Sequence, residues 1–171
     1  SVSDNMMLVG SPGASYVFER IDGEWEEVAT LTSALVPENL VFGLSGVING
    51  NVALVAATNP RRYGGMASAG RVFAFEGKDS GWTEVGELVP PELAAGDGLG
   101  PAIITNGQVA AVGATGATVN NVRGAGSVYF FVRGEDGLWT STLESLSAPR
   151  PTEGGNFGSE LFALPTGDGA K

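Results

Sequence analysis

The sequence predicts an all-β protein assembled from repeated units of four short antiparallel strands. Three observations carry that prediction. Trp25, Trp82 and Trp139 stand 57 residues apart, and the 171 residues hold three such periods. Glycine fills 27 of the 171 positions, well above the usual level of about 7% and suited to many tight turns. Apolar residues alternate or run in short blocks of β-branched and aromatic side chains, and no stretch keeps a helical period.

The elements follow in chain order. Met6-Met7-Leu8-Val9-Gly10-Ser11 is the first copy of an apolar strand that returns at 52–57 and at 109–114. Small and branched residues along its length predict burial on both faces. Ala14-Ser15-Tyr16-Val17-Phe18-Glu19-Arg20 comes next, matched in the second unit by Gly70-Arg71-Val72-Phe73-Ala74-Phe75-Glu76. Asp22-Gly23, Ser80-Gly81 and Asp136-Gly137 then mark a hairpin turn in each unit. The tryptophan strand follows, and Trp82-Thr83-Glu84-Val85-Gly86-Glu87-Leu88 alternates as a half-exposed strand does. Phe42-Gly43 opens the second unit and returns as Leu99-Gly100 and Phe157-Gly158, at steps of 57 and 58. A strand follows each pair, as at Ile103-Ile104-Thr105. Asn49-Gly50 and Asn106-Gly107 lead back into the buried strand, and Asn-Gly favours a type I′ turn. Repeat boundaries fall near 1–42, 43–99 and 100–157, with 158–171 opening another unit of one continuous segment 1–171.

Four antiparallel strands at a period above about 40 residues suggest β-propeller blades. The Phe-Gly pair, the strand ending Val9-Gly10-Ser11-Pro12 or Val112-Gly113-Ala114, and Gly126-Ser127-Val128-Tyr129-Phe130-Phe131 together resemble the FG-GAP repeat. That repeat builds the seven-bladed head of integrin α-subunits and occurs in microbial and algal surface proteins. Residues 14–20 with Gly23-Glu24-Trp25 look like the microbial form, and the resemblance covers essentially the whole chain. It implies blade strands A to D from the axis outward: Phe-Gly on A, the buried strand on B, the Gly-x-Val-Tyr strand on C and the Trp strand on D. The chain then runs B-C-D, A-B-C-D, A-B-C-D, A, ending in the A–B turn at 166–171. Three blades do not close a ring, since propellers have about four to eight. The chain is therefore expected to be a segment of a longer propeller, or to complete one by association through its open A and B edges. Two chains would supply six blades.

Composition narrows the function. With 9 basic and 19 acidic residues the formal net charge is −10, which disfavours nucleic acid and anionic membrane surfaces. A hydrophobic content of 43% with 16% charged residues excludes a disordered acidic tail. Cysteine and histidine are both absent, so disulfides, thiol nucleophiles, cysteine-held metals and Ser-His-Asp arrangements are ruled out. No apolar run reaches the roughly 20 residues of a membrane-spanning helix, and Ser1-Val2-Ser3-Asp4 does not read as a signal peptide. No nucleophile motif, phosphate loop or carboxylate pair stands out, so no catalytic residue is assigned.

The candidate binding residues lie in the loops between strands B and C. One contains Arg61, Arg62 and Tyr63; the other contains Asn120, Asn121 and Arg123. Arg beside Tyr in an exposed loop suits a partner anchor, and the family resemblance implies that the B–C and D–A loops share the ligand face. Trp25, Trp82 and Trp139, with Phe42 and Phe157, are read as repeat-core residues packing neighbouring sheets rather than as sugar platforms. Many members of the family bind calcium in the A–B loop. Here Asn49-Gly50-Asn51 and Asn106-Gly107-Gln108 are short and lack carboxylates, so no metal or other cofactor is expected. Asp97 and Glu153 read as solvated turn residues.

The expected function is a non-catalytic extracellular or cell-surface module, structural or adhesive, presenting loops to a protein or glycan. One alternative is a subunit that binds copies of itself in a filament or sheath. Another is an accessory domain of a larger secreted enzyme.

Overall fold

The computed structural model describes residues 1–59 and 69–162. Its described residues form twelve strands and no helix. β1 (Val2–Ser3), β2 (Met6–Ser11), β3 (Ala14–Ile21) and β4 (Glu24–Leu31) make sheet 1. β5 (Val41–Asn49), β6 (Val52–Thr58), β7 (Arg71–Lys78) and β8 (Gly81–Leu88) make sheet 2. β9 (Leu99–Thr105), β10 (Val109–Ala114), β11 (Ser127–Arg133) and β12 (Trp139–Ser147) make sheet 3. Each sheet is an antiparallel meander in chain order.

Sheet 1 corrects one expectation. The chain does not enter at the second strand of a unit. β1 pairs with β2 across Asp4-Asn5, and Ser1 and Leu8 exchange two backbone hydrogen bonds of 2.8 and 3.0 Å. The expected final strand opens at 158; 158–162 contain no strand, and its remainder with the turn at 166–171 lies outside the described residues.

The turns also divide by type. Ile21 pairs with Glu24 across Asp22-Gly23, whose φ values of 51° and 95° are those of a type I′ turn. Asn49 pairs with Val52, so the central residues are Gly50 and Asn51, and only Gly50 has positive φ. That is the type II′ pattern, not the expected I′, because glycine occupies the first central position. At Asn106-Gly107 the Asn106 carboxamide instead accepts bonds from the Gln108 and Val109 amides at 3.0 and 2.7 Å, an Asx-type turn.

Bulges recur at fixed phases. In β5 two extra residues, Gly43 and Leu44, stand between the partners of Ala57 and Ala56. Gly100-Pro101 occupies the same place in β9, where the register against β10 also shifts. Gly43 and Gly100 have φ of 90° and 109°, so the Phe-Gly signal marks a bulge that glycine permits. The space is equally restrictive. A Cβ at Gly100 would sit 2.6 Å from the Ala56 Cβ, and one at Gly43 would overlap the Ser11 and Ala14 carbonyls of sheet 1.

Two cores lie between the sheets. Leu8, Val17 and Leu31 of sheet 1 pack on Ala53, Val55, Ala57, Phe73 and Phe75 of sheet 2. Val52, Leu54, Ala56, Val72 and Ala74, on the other face of sheet 2, pack on Val112 and Phe131 of sheet 3. The unbroken apolar run at 52–57 therefore feeds two cores in alternation. Phe42 belongs to the first core, its ring centroid 5.8 Å from that of Phe73 and 6.0 Å from that of Phe75. Trp82 packs against the same core and Trp139 against the second. Trp25 is 39% exposed, because no described sheet lies against its face. Phe157 is half-buried and belongs to neither core.

One ion pair crosses from sheet 3 to sheet 2. Arg133 meets Glu76, which also pairs with Lys78 at 2.8 Å. The Lys78 ammonium and then the Arg133 guanidinium hold the Glu76 carboxyl below its ordinary 4.5, against the opposing pull of burial. Glu76 and Arg133 are both largely buried, whereas Lys78 is 63% exposed in its side chain, so we assign most of the stabilising effect to Arg133. A lowered carboxyl stabilises the fold above its unfolded-state pKa and loses that effect as pH falls through the folded-state value. Glu76→Gln is therefore expected to destabilise the chain at neutral pH, with a gap from wild type that closes as pH falls below 4.5 in urea titrations. Trp139 offers a second test, because its Nε1 is buried without a partner. Trp139→Ala is expected to cost about 3–5 kcal/mol. Trp139→Phe is expected to cost much less, since it removes an unpaired donor whose burial costs about 1–3 kcal/mol. Chemical denaturation of both variants checks this order.

Candidate functional site

A polar concavity lies where the loop between β8 and β9 meets the loop between β10 and β11. The first loop leaves β8 through Val89-Pro90-Pro91, which cannot extend the ladder. It turns twice, with Leu93 N–H donating to the Pro90 carbonyl and Asp97 N–H to the Ala94 carbonyl, each at 3.2 Å. The Asp97 carboxylate accepts the Ala94 amide at 2.8 Å and closes the second turn. Asp97 is only 7% exposed, which corrects the reading of it as a solvated residue. Its phase in the repeat is that of Leu40, which is equally buried. A carboxylate thus stands where the preceding unit has a core side chain. Glu153 is exposed, as expected of a turn residue.

The second loop crosses the first at Gly116, whose amide donates to the Asp97 carbonyl at 2.7 Å. A Cβ there would overlap the Gly96 carbonyl, so only glycine lets the two backbones meet. Beyond it the loop forms a small hairpin. Val119 and Val122 exchange hydrogen bonds of 2.9 and 3.1 Å around Asn120 and Asn121. These two residues have φ of 51° and 65°, which asparagine tolerates better than most residues. Arg123 follows, exposed at the side chain and tied at the backbone, its carbonyl accepting the Gly154 amide at 3.1 Å.

Between the loops is a cavity of about 400 Å³ lined by Glu92, Asp97, Ala117, Arg123 and Tyr129, among others. Tyr129 reaches it from β11. Burial, and then the Asp97 and Glu92 carboxylates, push its phenol above the ordinary value of 10.0. The hydroxyl is consequently a hydrogen-bond donor at neutral pH. The cavity combines carboxylate acceptors, a phenol and a guanidinium, a set that suits a ligand rich in both donors and acceptors.

Of the sequence-derived binding residues, Arg123 lines this cavity. Asn120 and Asn121 form the tip of the neighbouring hairpin, exposed and outside the lining. Arg61, Arg62 and Tyr63 lie outside the described residues. The reading of single loops missed Asp97, Glu92 and Tyr129. Comparison by phase shows two of them: Asp97 against Leu40, and Tyr129 against Phe73, which pairs with β6 as Tyr129 pairs with β10. Among the described residues, no group of three acidic side chains converges as a metal site would require.

No family model and no curated protein matches the chain. A solved structure of a hypothetical selenium-binding protein from Sulfolobus tokodaii is similar over 83% of this chain, at 12% identity and a TM-score of 0.45. The chain spans 37% of the length of that protein.

The cavity's electrostatics can be read from Tyr129. In alkaline absorbance titrations, Asp97→Asn and Glu92→Gln are each expected to bring the Tyr129 phenol transition down toward 10.0. Tyr129→Phe identifies that transition by removing it.

Proposed function

We propose that the chain is a non-catalytic binding module whose three sheets are propeller blades of the FG-GAP type. In this reading it belongs to an extracellular or cell-surface protein, structural or adhesive in role. The observation that carries the proposal is the cavity formed by the two loops around Asp97, Arg123 and Tyr129. One loop enters sheet 3 at the start of β9 and the other leaves it at the adjacent end of β10, so its strands act as the scaffold and these loops as the recognition surface. The Phe-Gly bulges and the 57-residue period support the blade assignment.

A glycan is the ligand class that best suits the lining. Sugar hydroxyls present donors and acceptors in alternation, and Asp97, Arg123 and Tyr129 offer complements to both. A tyrosine ring at the wall adds an apolar surface for a sugar face. We read Asp97 as a structural acceptor because it already closes its own turn.

A glycan array with the purified chain, followed by calorimetry on the best binder, tests the reading. Tyr129→Phe and Arg123→Ala are each expected to weaken binding by about tenfold, the loss of one hydrogen bond of about 1.4 kcal/mol. Binding that neither variant alters would place the ligand site elsewhere.

A further inference from the structure

We propose that the chain associates with a second copy of itself head to tail, the free face of sheet 3 seating on the free face of sheet 1. The two internal joints supply the pattern for this contact, which is independent of the cavity.

Sheet 2 defines what a joint requires. Toward sheet 1 it presents Ala53, Val55, Phe73, Phe75 and Trp82, and toward sheet 3 it presents Val52, Leu54, Ala56, Val72 and Ala74. The ladder registers carry these positions to the outer sheets. Met7 pairs with Phe18, Val9 with Tyr16 and Arg20 with Trp25, so these residues share the face of sheet 1 turned away from sheet 2. That face has aromatics where sheet 2 has Phe73, Phe75 and Trp82. On the far face of sheet 3, Val109 pairs with Val132, Ala111 with Phe130 and Val128 with Leu146. Small and branched residues dominate there, as they do on the matching face of sheet 2. The two outer faces are therefore the two halves of the joint already built twice inside the chain, continued onto surfaces that stand open. Val9 and Trp25 are 40% and 39% exposed on one; Val109, Val132 and Leu146 are 42%, 42% and 52% exposed on the other. Contiguous apolar exposure of this kind marks an interaction surface.

One further detail fits a second copy. Phe157 donates its amide to the Ala125 carbonyl at 2.9 Å, as Leu99 does to Ala69 at 2.7 Å, so the backbone after sheet 3 keeps the contact that opens β9 at the internal joint. Two charged residues share the sheet 1 face by register, Arg20 opposite Trp25 and Glu27 opposite Phe18; Arg20 donates Nε to the Gly23 carbonyl at 3.1 Å, and Glu27 accepts the Thr30 hydroxyl at 2.8 Å. The joint is heterologous, since two different faces meet.

That asymmetry gives the test. Val9→Glu blocks one face and Val132→Glu the other, both at exposed positions. Circular dichroism checks that each variant folds, and Trp25→Lys and Leu146→Lys are the substitutes if either does not. Sedimentation velocity and native mass spectrometry are run on the full chain over a concentration series. Wild type is expected to populate multiples of 17.4 kDa that grow with concentration. Each variant alone is expected to stay at 17.4 kDa, while an equal mixture forms a one-to-one pair through the intact faces. Wild type that remains a monomer throughout overturns the proposal. So does a variant that still self-associates, or a mixture that does not pair.

Discussion

The structure depends on the fact that its middle sheet has no polar face. In a half-buried strand, water solvates every second side chain. At 52–57 both sets of alternating residues are apolar, so both must be removed from water. A four-stranded sheet built this way is unstable alone and stable between neighbours. Burying side chains such as Phe73, Leu54 and Val55 contributes roughly 1.5–3 kcal/mol each relative to exposure. The other features serve this stacking. The bulge at Gly43 brings β5 close to the backbone of sheet 1, that at Gly100 brings β9 close to Ala56 of sheet 2, and Trp82 and Trp139 pack against the two cores.

The strand pattern was legible because it is a local property repeated. The segments at Met6–Ser11 and Val109–Ala114 were readable to their last residues, since periodicity, turn residues and the step of 57 agree. Turn type was less legible. Asn49-Gly50 invites a type I′ turn by composition, but the ladder register shifts the turn by one residue, and register is set by pairing across strands. The reach of β1 escaped notice for a related reason: two residues carry no period.

The candidate site was legible only in part. Arg123 was found because a basic residue in a loop is conspicuous. Asp97 was passed over because burial of a turn carboxylate depends on a second loop 19 residues further along, which touches it through Gly116. Nothing in the sequence near Asp97 announces that contact. Tyr129 was read as a strand residue, which it is, and its hydroxyl matters only because the loops above it leave space. Long-range juxtaposition decides a site, whereas short-range periodicity decides a strand.

The ion pair between Glu76 and Arg133 also bears on the order of the units. By ladder register Arg133 stands at the phase of Gly77, each opposite a tryptophan, and Glu76 stands at the phase of Val132. The third unit therefore brings a guanidinium to the joint behind it and offers only a valine to the joint ahead. Placed after a unit ending in Glu19 or Glu76, it meets a carboxylate. Placed after a copy of itself, it buries that guanidinium against Val132. The repeat is thus not a set of interchangeable modules. Its units carry a sense of sequence, and tandem duplication of the third would incur a buried, unmatched cation that duplication of the second avoids.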